Sequence, residues 1–344
     1  MPSSNVKIDN KDRGSSGSRR ILILGIGILI AIGLYTAGWF VLANQLENRV
    51  IVGAASLASD GVTATCENAT AKGYPFRIGL SCKSVTWIDR SRGVAVSTGA
   101  FRSAAQVYAP RRVVSELDGP VLIEMPGLLP LKMQWENLKS SARLTDSIPE
   151  RVSVVGRNID VALRTQASGT APVATIANAE SHMRNIEKQI DAAWTFDGLK
   201  IDPAFTDGTE LPALTGSGDV SLANGVDFLH RPGMLDDKLR GQSGEIRQLA
   251  LSLGNDGGFT ISGPFSVADD GRISGSFKIV LNNPDALAAA AHNALPEFAD
   301  EISTAQFAIQ AMPRDEKGQP TVTVTVRNGK ASIGFIPLGR LPAL

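Results

Sequence analysis

The sequence predicts a mainly β protein: an antiparallel, long curved sheet, sandwich or partly open barrel with a few helices, behind one N-terminal transmembrane helix. Three observations predict it. Apolar and polar residues alternate over most of the chain after residue 60, as in Thr321 to Val326, TVTVTV. Gly, Pro and Asn-Asp clusters interrupt these runs at short intervals, and helices that a parallel sheet would need between strands are mostly missing. Ile21 to Ala43 is an apolar run without a charge.

Composition narrows the function classes. Lys+Arg and Asp+Glu both number 34, so the net charge is zero and the basic excess of a nucleic-acid binder is missing. Hydrophobic residues make up 43%, enough for a large core, which excludes disorder along most of the chain. Cys number 2 and His 3, too few for a metal centre built on a Cys/His cluster.

Residues 1–20 are polar and carry Lys7, Lys11, Arg13, Arg19 and Arg20, and they read as a disordered basic tail. Residues 21–43 then change character. As a helix the run extends roughly 35 Å at about 1.5 Å per residue, against about 30 Å of hydrocarbon. A core helix of a soluble protein would show a polar face, and this run has none. Ile21 and Ala43 bound the span, Arg19 and Arg20 touch its N-terminal edge, and Tyr35 and Trp39 suit interfacial aromatics near the other end. The competing readings are a cleaved signal peptide, with Ala54, Ala55 and Ala58 offering small residues to a peptidase, and a buried soluble helix. The positive-inside rule puts the N-terminus in the cytoplasm and everything after residue 43 on the far side. Leu46, Val50 and Ala54 keep helical spacing, so 44–58 reads as a helical stalk, with a solvated linker as the alternative.

Residues 59–344 form the β-rich domain. Cys66 and Cys82 flank a hairpin pattern, with Lys72-Gly73-Tyr74-Pro75 as the turn, and in an oxidising compartment they are expected to pair. Gly73 can take positive φ, Pro75 fixes its own φ, and Pro75 is a candidate for the cis state; the turn reads as structural, with a binding loop as the alternative. Candidate strands follow at 93–108, 111–116, 120–125, 131–136, 151–163, 174–183, 192–201, 214–223, 248–253, 258–267, 273–281, 321–326 and 331–336. Such strands, apolar on one face, belong to antiparallel sheets. A helix should open at Asn283-Pro284-Asp285, where Asn283 can N-cap and Pro284 fits the first turn, and stop before Pro296. Further helix is expected around 179–190 and a short turn at 233–240. A soft joint is expected near 165–175, QASGTAPVA with its flanking residues.

No catalytic signature stands up, and neither catalytic, metal-ligating nor cofactor-binding residues are expected. GxGxxG, Walker, HExxH and GxSxG patterns are all missing. His182, His230 and His292 are scattered, and Asp269-Asp270-Gly271 reads as a hairpin turn. Asn68-Ala69-Thr70 matches a glycosylation sequon, a pattern common by chance.

Gly73 to Ile78 reads GYPFRI ahead of Cys82, a middle segment at 105–127 reads AQVYAPRRVVSELDGPVLIEMPG, and the chain ends in RNGKASIGFIPLGRLPAL. With the basic tail and single span, these resemble the bacterial family called domain of unknown function 2125. The resemblance implies a protein of two-membrane bacteria, anchored in the inner membrane with its main domain in the periplasm, and it carries over no catalytic residue. A more distant likeness is to the AsmA-like envelope proteins proposed to move lipid, at the level of fold alone. The function expected is binding or guiding a lipid or another apolar envelope ligand, with no cofactor and no nucleic acid. The alternative is a structural or assembly protein acting through protein contacts. An unidentified hydrolase is the third possibility, without a motif behind it.

Overall fold

The structure, a computed structural model, describes residues 15–57, 61–146, 148–164, 169–206, 208–230, 235–254, 257–294 and 296–344. Strands hold 52% of the chain, all the ladders are antiparallel, and the sheet does not close into a barrel.

Helix α1 (Ser15–Leu57) is continuous. It starts inside the segment read as a tail, whose residues 1–14 lie outside the described ones, and it runs through the expected stalk to Leu57. Arg19–Val50 is long and apolar enough to cross a membrane.

The first half of the domain forks. Strand β11 (Arg151–Arg164) pairs along one edge with two different strands. Its start carries β10 (Asn137–Arg143), followed outward by β7 (Ala109–Leu117), β6 (Phe101–Gln106), β3 (Arg77–Cys82) and β2 (Thr70–Lys72). Its end carries β9 (Leu131–Gln134), followed by β8 (Val121–Glu124), β5 (Val94–Thr98), β4 (Val85–Asp89) and β1 (Val62–Cys66). Asn158, at φ 47°, interrupts β11 where the branches part. Cys66 and Cys82 form a disulfide with a Cα–Cα distance of 5.3 Å, which ties the free end of one branch to the other.

The single strand expected over 93–108 is therefore two, β5 and β6, in different branches. The break falls at Gly99, where an added Cβ would come within 2.7 Å of the Asp118 carbonyl oxygen.

Beyond β11 the sheet is a simple meander. It runs through β12 (Thr170–Ile186), β13 (Gln189–Ile201), β14 (Leu214–Leu222), β15 (Ser243–Leu253), β16 (Gly257–Val267), β17 (Ile273–Asn282), β18 (Thr321–Arg327), β19 (Lys330–Ile333) and β20 (Ile336–Arg340). The helix expected at 179–190 is strand instead. Residues 179–186 belong to β12, which has partners on both sides, so each backbone N–H and C=O has a ladder to join and helical propensity is overridden. Glu187, at φ 58°, and Lys188 make the turn into β13. Of the expected soft joint, residues 170–175 are strand instead: they lie in β12 and pair with β11, Ala174 and Thr175 pair with β13 as well, and 165–168 fall outside the described residues.

Helices lie between strands. They are α2 (Gly225–His230), α3 (Leu235–Leu239), α4 (Pro284–Ala294) and α5 (Ala299–Gln310). Asn283 caps α4 as expected, its Oδ1 accepting from the Ala286 N–H at 3.3 Å. α3 falls within the expected 233–240; α2 and α5 were not expected.

Candidate functional site

Directly paired residues on neighbouring strands share a face, so the registers trace rows across the sheet. One row joins Ile78, Ala105, Val113, Ala142, Val152, Met183, Ala192, Val220 and Ile246. A second starts with Ser103, Ser115 and Ser140, passes Val154 and Ser181, then turns apolar through Trp194, Leu249, Ile261, Ile279 and Val322, with Gly218 between the first two. A third runs Leu138, Ala179, Phe196, Leu251, Phe259 and Leu281, with glycines between. At about 4.8 Å per strand each row extends roughly 40 Å. The short branch adds Ala64, Trp87, Val96, Ile123, Leu131 and Leu163 as a row of its own.

Two glycines shape this face. A Cβ on Gly218 would lie 2.2 Å from the Trp194 ring, and one on Gly216 would lie 2.4 Å from the Phe196 ring. Both aromatic rings therefore lie flat across β14. Among the described residues the face has no complete second layer: Leu249, Leu251, Phe259, Ile261, Ile279 and Leu281 are all only half-buried. In a filled two-layer core such side chains would be buried.

The opposite face is polar. There Arg102, Glu116 and Lys139 align, as do Arg184, Asp191 and Ser221. The Asp191 carboxylate accepts from Arg184 at 2.8 Å, Gln189 at 2.8 Å and Arg247 at 2.7 Å. Burial opposes its charge, but these bonds and one from Ser221 hold its pKa well below the usual carboxylate range. Arg247 also donates to Asp219 at 2.6 Å, and its own pKa is raised by the two carboxylates. His182 lies on this face beside Ser153, 3.0 Å away. Every cation at this cluster's centre already has an anion, so it reads as a brace for the strands.

Helix α1 meets the apolar face at the GYPFR turn. Tyr35 donates to the Pro75 carbonyl, Thr36 and Tyr74 share a hydrogen bond of 2.7 Å, and the Trp39 indole donates to the Arg77 carbonyl at 2.9 Å. The Trp39 and Tyr74 rings meet edge to face at 5.4 Å. Higher up, Glu47 accepts from the Ala71 N–H at 2.6 Å and so occupies the bare edge of β2. Trp39 is 6% exposed and Ala43 5%, whereas Ile21 is 72% exposed. The two residues expected only at a lipid interface are thus also where the domain grips its helix. The Tyr74–Pro75 bond is cis and Gly73 has φ 116°. Between helix and sheet lies a cavity of about 600 Å³, lined by Trp39, Leu42, Leu46, Ile78, Ala105 and Val113 among others. Ile78, Ala105 and Val113 open the first row, so the cavity is continuous with the apolar face.

A family model described as "Uncharacterized protein conserved in bacteria (DUF2125)" matches residues 39–342. The chain belongs to this family. Its match begins at Trp39, so this DUF2125 unit includes Trp39 and Glu47 of the grip, while Tyr35 and Thr36 precede it. A search of the curated proteins finds no match.

Sequence reasoning found the turn but missed its partner. The signal was present: Tyr35 and Trp39 are four apart, on one face of a helix whose neighbours are aliphatic, and Glu47 is an isolated acid beyond them.

Proposed function

We propose that this DUF2125 protein is a single-pass membrane protein whose sheet holds the acyl chains of a lipid on its apolar face, taking them up beside α1. The observation that carries the reading is the continuity of that face, half-buried and only partly covered, with the cavity against the helix. An acyl chain would complete the contacts that a second layer makes in a filled core. The protein works by binding, with no chemical step. Arg19 and Arg20 before the span favour a cytoplasmic N-terminus, and the Cys66–Cys82 disulfide favours an oxidising compartment for the domain, in keeping with the inner membrane and periplasm.

Native mass spectrometry of the full chain, released from detergent micelles, tests this. The wild type should carry acyl lipid, and the Leu249→Glu/Ile279→Glu variant should lose it while keeping the Cys66–Cys82 bond. Equal lipid occupancy in both would refute the reading.

One observation favours a second reading, assembly through protein contacts. β20 pairs only with β19 among the described strands and leaves Phe335, Ile336 and Leu338 exposed, a bare apolar edge able to accept another strand. Cross-linking from an Ile336→Cys variant in cells should then trap a single partner; recovery of none counts against it.

A further inference from the structure

The turn that grips α1 does so at an unexpected height. Hydrocarbon about 30 Å thick uses about 20 helical residues, so a span counted from Ile21 ends near Phe40. Yet the domain is bonded to Tyr35, Thr36 and Trp39, below that level. If α1 spans a membrane, this turn cannot stand clear of it.

Its chemistry suits such a place. A turn in water can leave its carbonyl groups to solvent, whereas one in a water-poor layer must satisfy them internally. Gly73 O accepts from the Arg77 N–H at 2.8 Å, and Phe76 O from the Val107 N–H at 3.1 Å. Pro75 O takes the Tyr35 hydroxyl and Arg77 O the Trp39 indole. Pro75 has no N–H to satisfy. Tyr74 turns towards the helix, while two aromatic side chains beside these paired carbonyls face outward: Phe76 is 72% exposed, and Tyr108, in the adjoining turn after Val107, is 78% exposed. Lys72 and Arg77 flank the turn and are exposed as well. Exposed aromatics with a basic rim fit the headgroup layer of a bilayer.

We propose that Gly73–Arg77 and Tyr108 form a membrane-seated foot, with Phe76 and Tyr108 inserted into the interfacial layer at the C-terminal end of the span. The proposal rests on α1 crossing the membrane and is independent of whether the apolar face binds lipid. It fixes the mouth of the helix–sheet cavity at the bilayer surface.

The test uses the full chain in phospholipid nanodiscs. With the native cysteines paired, only an introduced thiol takes an environment-sensitive fluorophore. Labels go on Phe76→Cys and Tyr108→Cys, on Leu29→Cys inside the span, and on Lys317→Cys in a turn many strands away. Nitroxide-bearing lipids should cut emission by about twofold or more at positions 76 and 108 and at 29, and leave 317 bright. Quenching at 29, with 76 and 108 behaving like 317, overturns the foot and leaves the anchor standing. No quenching at 29 overturns both. Position 108 keeps the test alive if the variant at 76 fails to fold.

Discussion

Replacing Trp39 tests whether the domain is held to its helix by the contacts described. The indole is 6% exposed, donates to Arg77 O at 2.9 Å, and meets Tyr74 edge to face at 5.4 Å. Trp→Ala at a buried site costs about 3–5 kcal/mol, and since this site is walled by helix and turn only, about 3 kcal/mol is the working figure. That loss falls on the seam, because the sheet ladders do not depend on Trp39. The nearest reporter is the Ala71 amide, bonded to Glu47 at 2.6 Å and protected only while the helix is docked. At about 1.4 kcal/mol per factor of ten, Trp39→Ala should speed its hydrogen exchange roughly 100-fold. Trp39→Phe keeps a ring and loses the N–H, so about 1 kcal/mol and roughly fivefold faster exchange are expected. Amides in β15 should be unchanged in both variants. If Ala71 exchanges at the wild-type rate in Trp39→Ala, the seam is not what holds α1 to the domain.

Other outcomes follow from the same contacts. The Cys66–Cys82 bond closes a loop with a separation of 16 residues; removing it with Cys66→Ala/Cys82→Ala should cost about 3 kcal/mol, a loss of roughly 5 °C in Tm. An unchanged Tm would mean that the branches of the fork hold without it. The lowered pKa of Asp191 means that the folded state holds this carboxylate ionised where the unfolded chain would protonate it. Its contribution is present above the unfolded value and is lost as pH falls below about 4 towards the folded pKa. Asp191→Asn should therefore flatten the acid limb of a denaturant-stability profile, and an unaltered limb would show that other carboxylates set it. Gly218→Ala places a Cβ 2.2 Å from the Trp194 ring, so it should cost about 1–3 kcal/mol and lower the melting temperature. A neutral result would mean that Trp194 does not rest on Gly218.

Much of the architecture was legible because one-faced strands announce themselves locally. Thr321 to Val326 alternates strictly and becomes β18, and Asn283-Pro284 opens α4 where capping chemistry requires. What was not legible was non-local. Nothing near Asn158 says that β11 will pair with β10 before it and β9 after it, because that choice depends on which strands return to it. Residues 179–190, AESHMRNIEKQI, carry good helix formers, yet Ala179 and Met183 were on every second position of a strand with two partners. α5 was missed because its Ile302 and Phe307 make no clear apolar stripe, and Phe307 is in fact exposed. The candidate site was half legible. Alternation gave an apolar face, but only the structure places α1 against one end of it and leaves the rest without a full roof.

The most direct test of the central claim is site-specific photo-cross-linking in cells, followed by mass spectrometry of the adduct. A benzophenone side chain at Leu251 or Ile261 lies on the apolar face, and one at Ser217 or Thr260 lies on the polar face. Adducts of acyl-lipid mass at 251 and 261, with none at 217 and 260, are the predicted result. Lipid adducts at all four positions alike, or at none of them, would contradict the claim that this face is a lipid-holding surface.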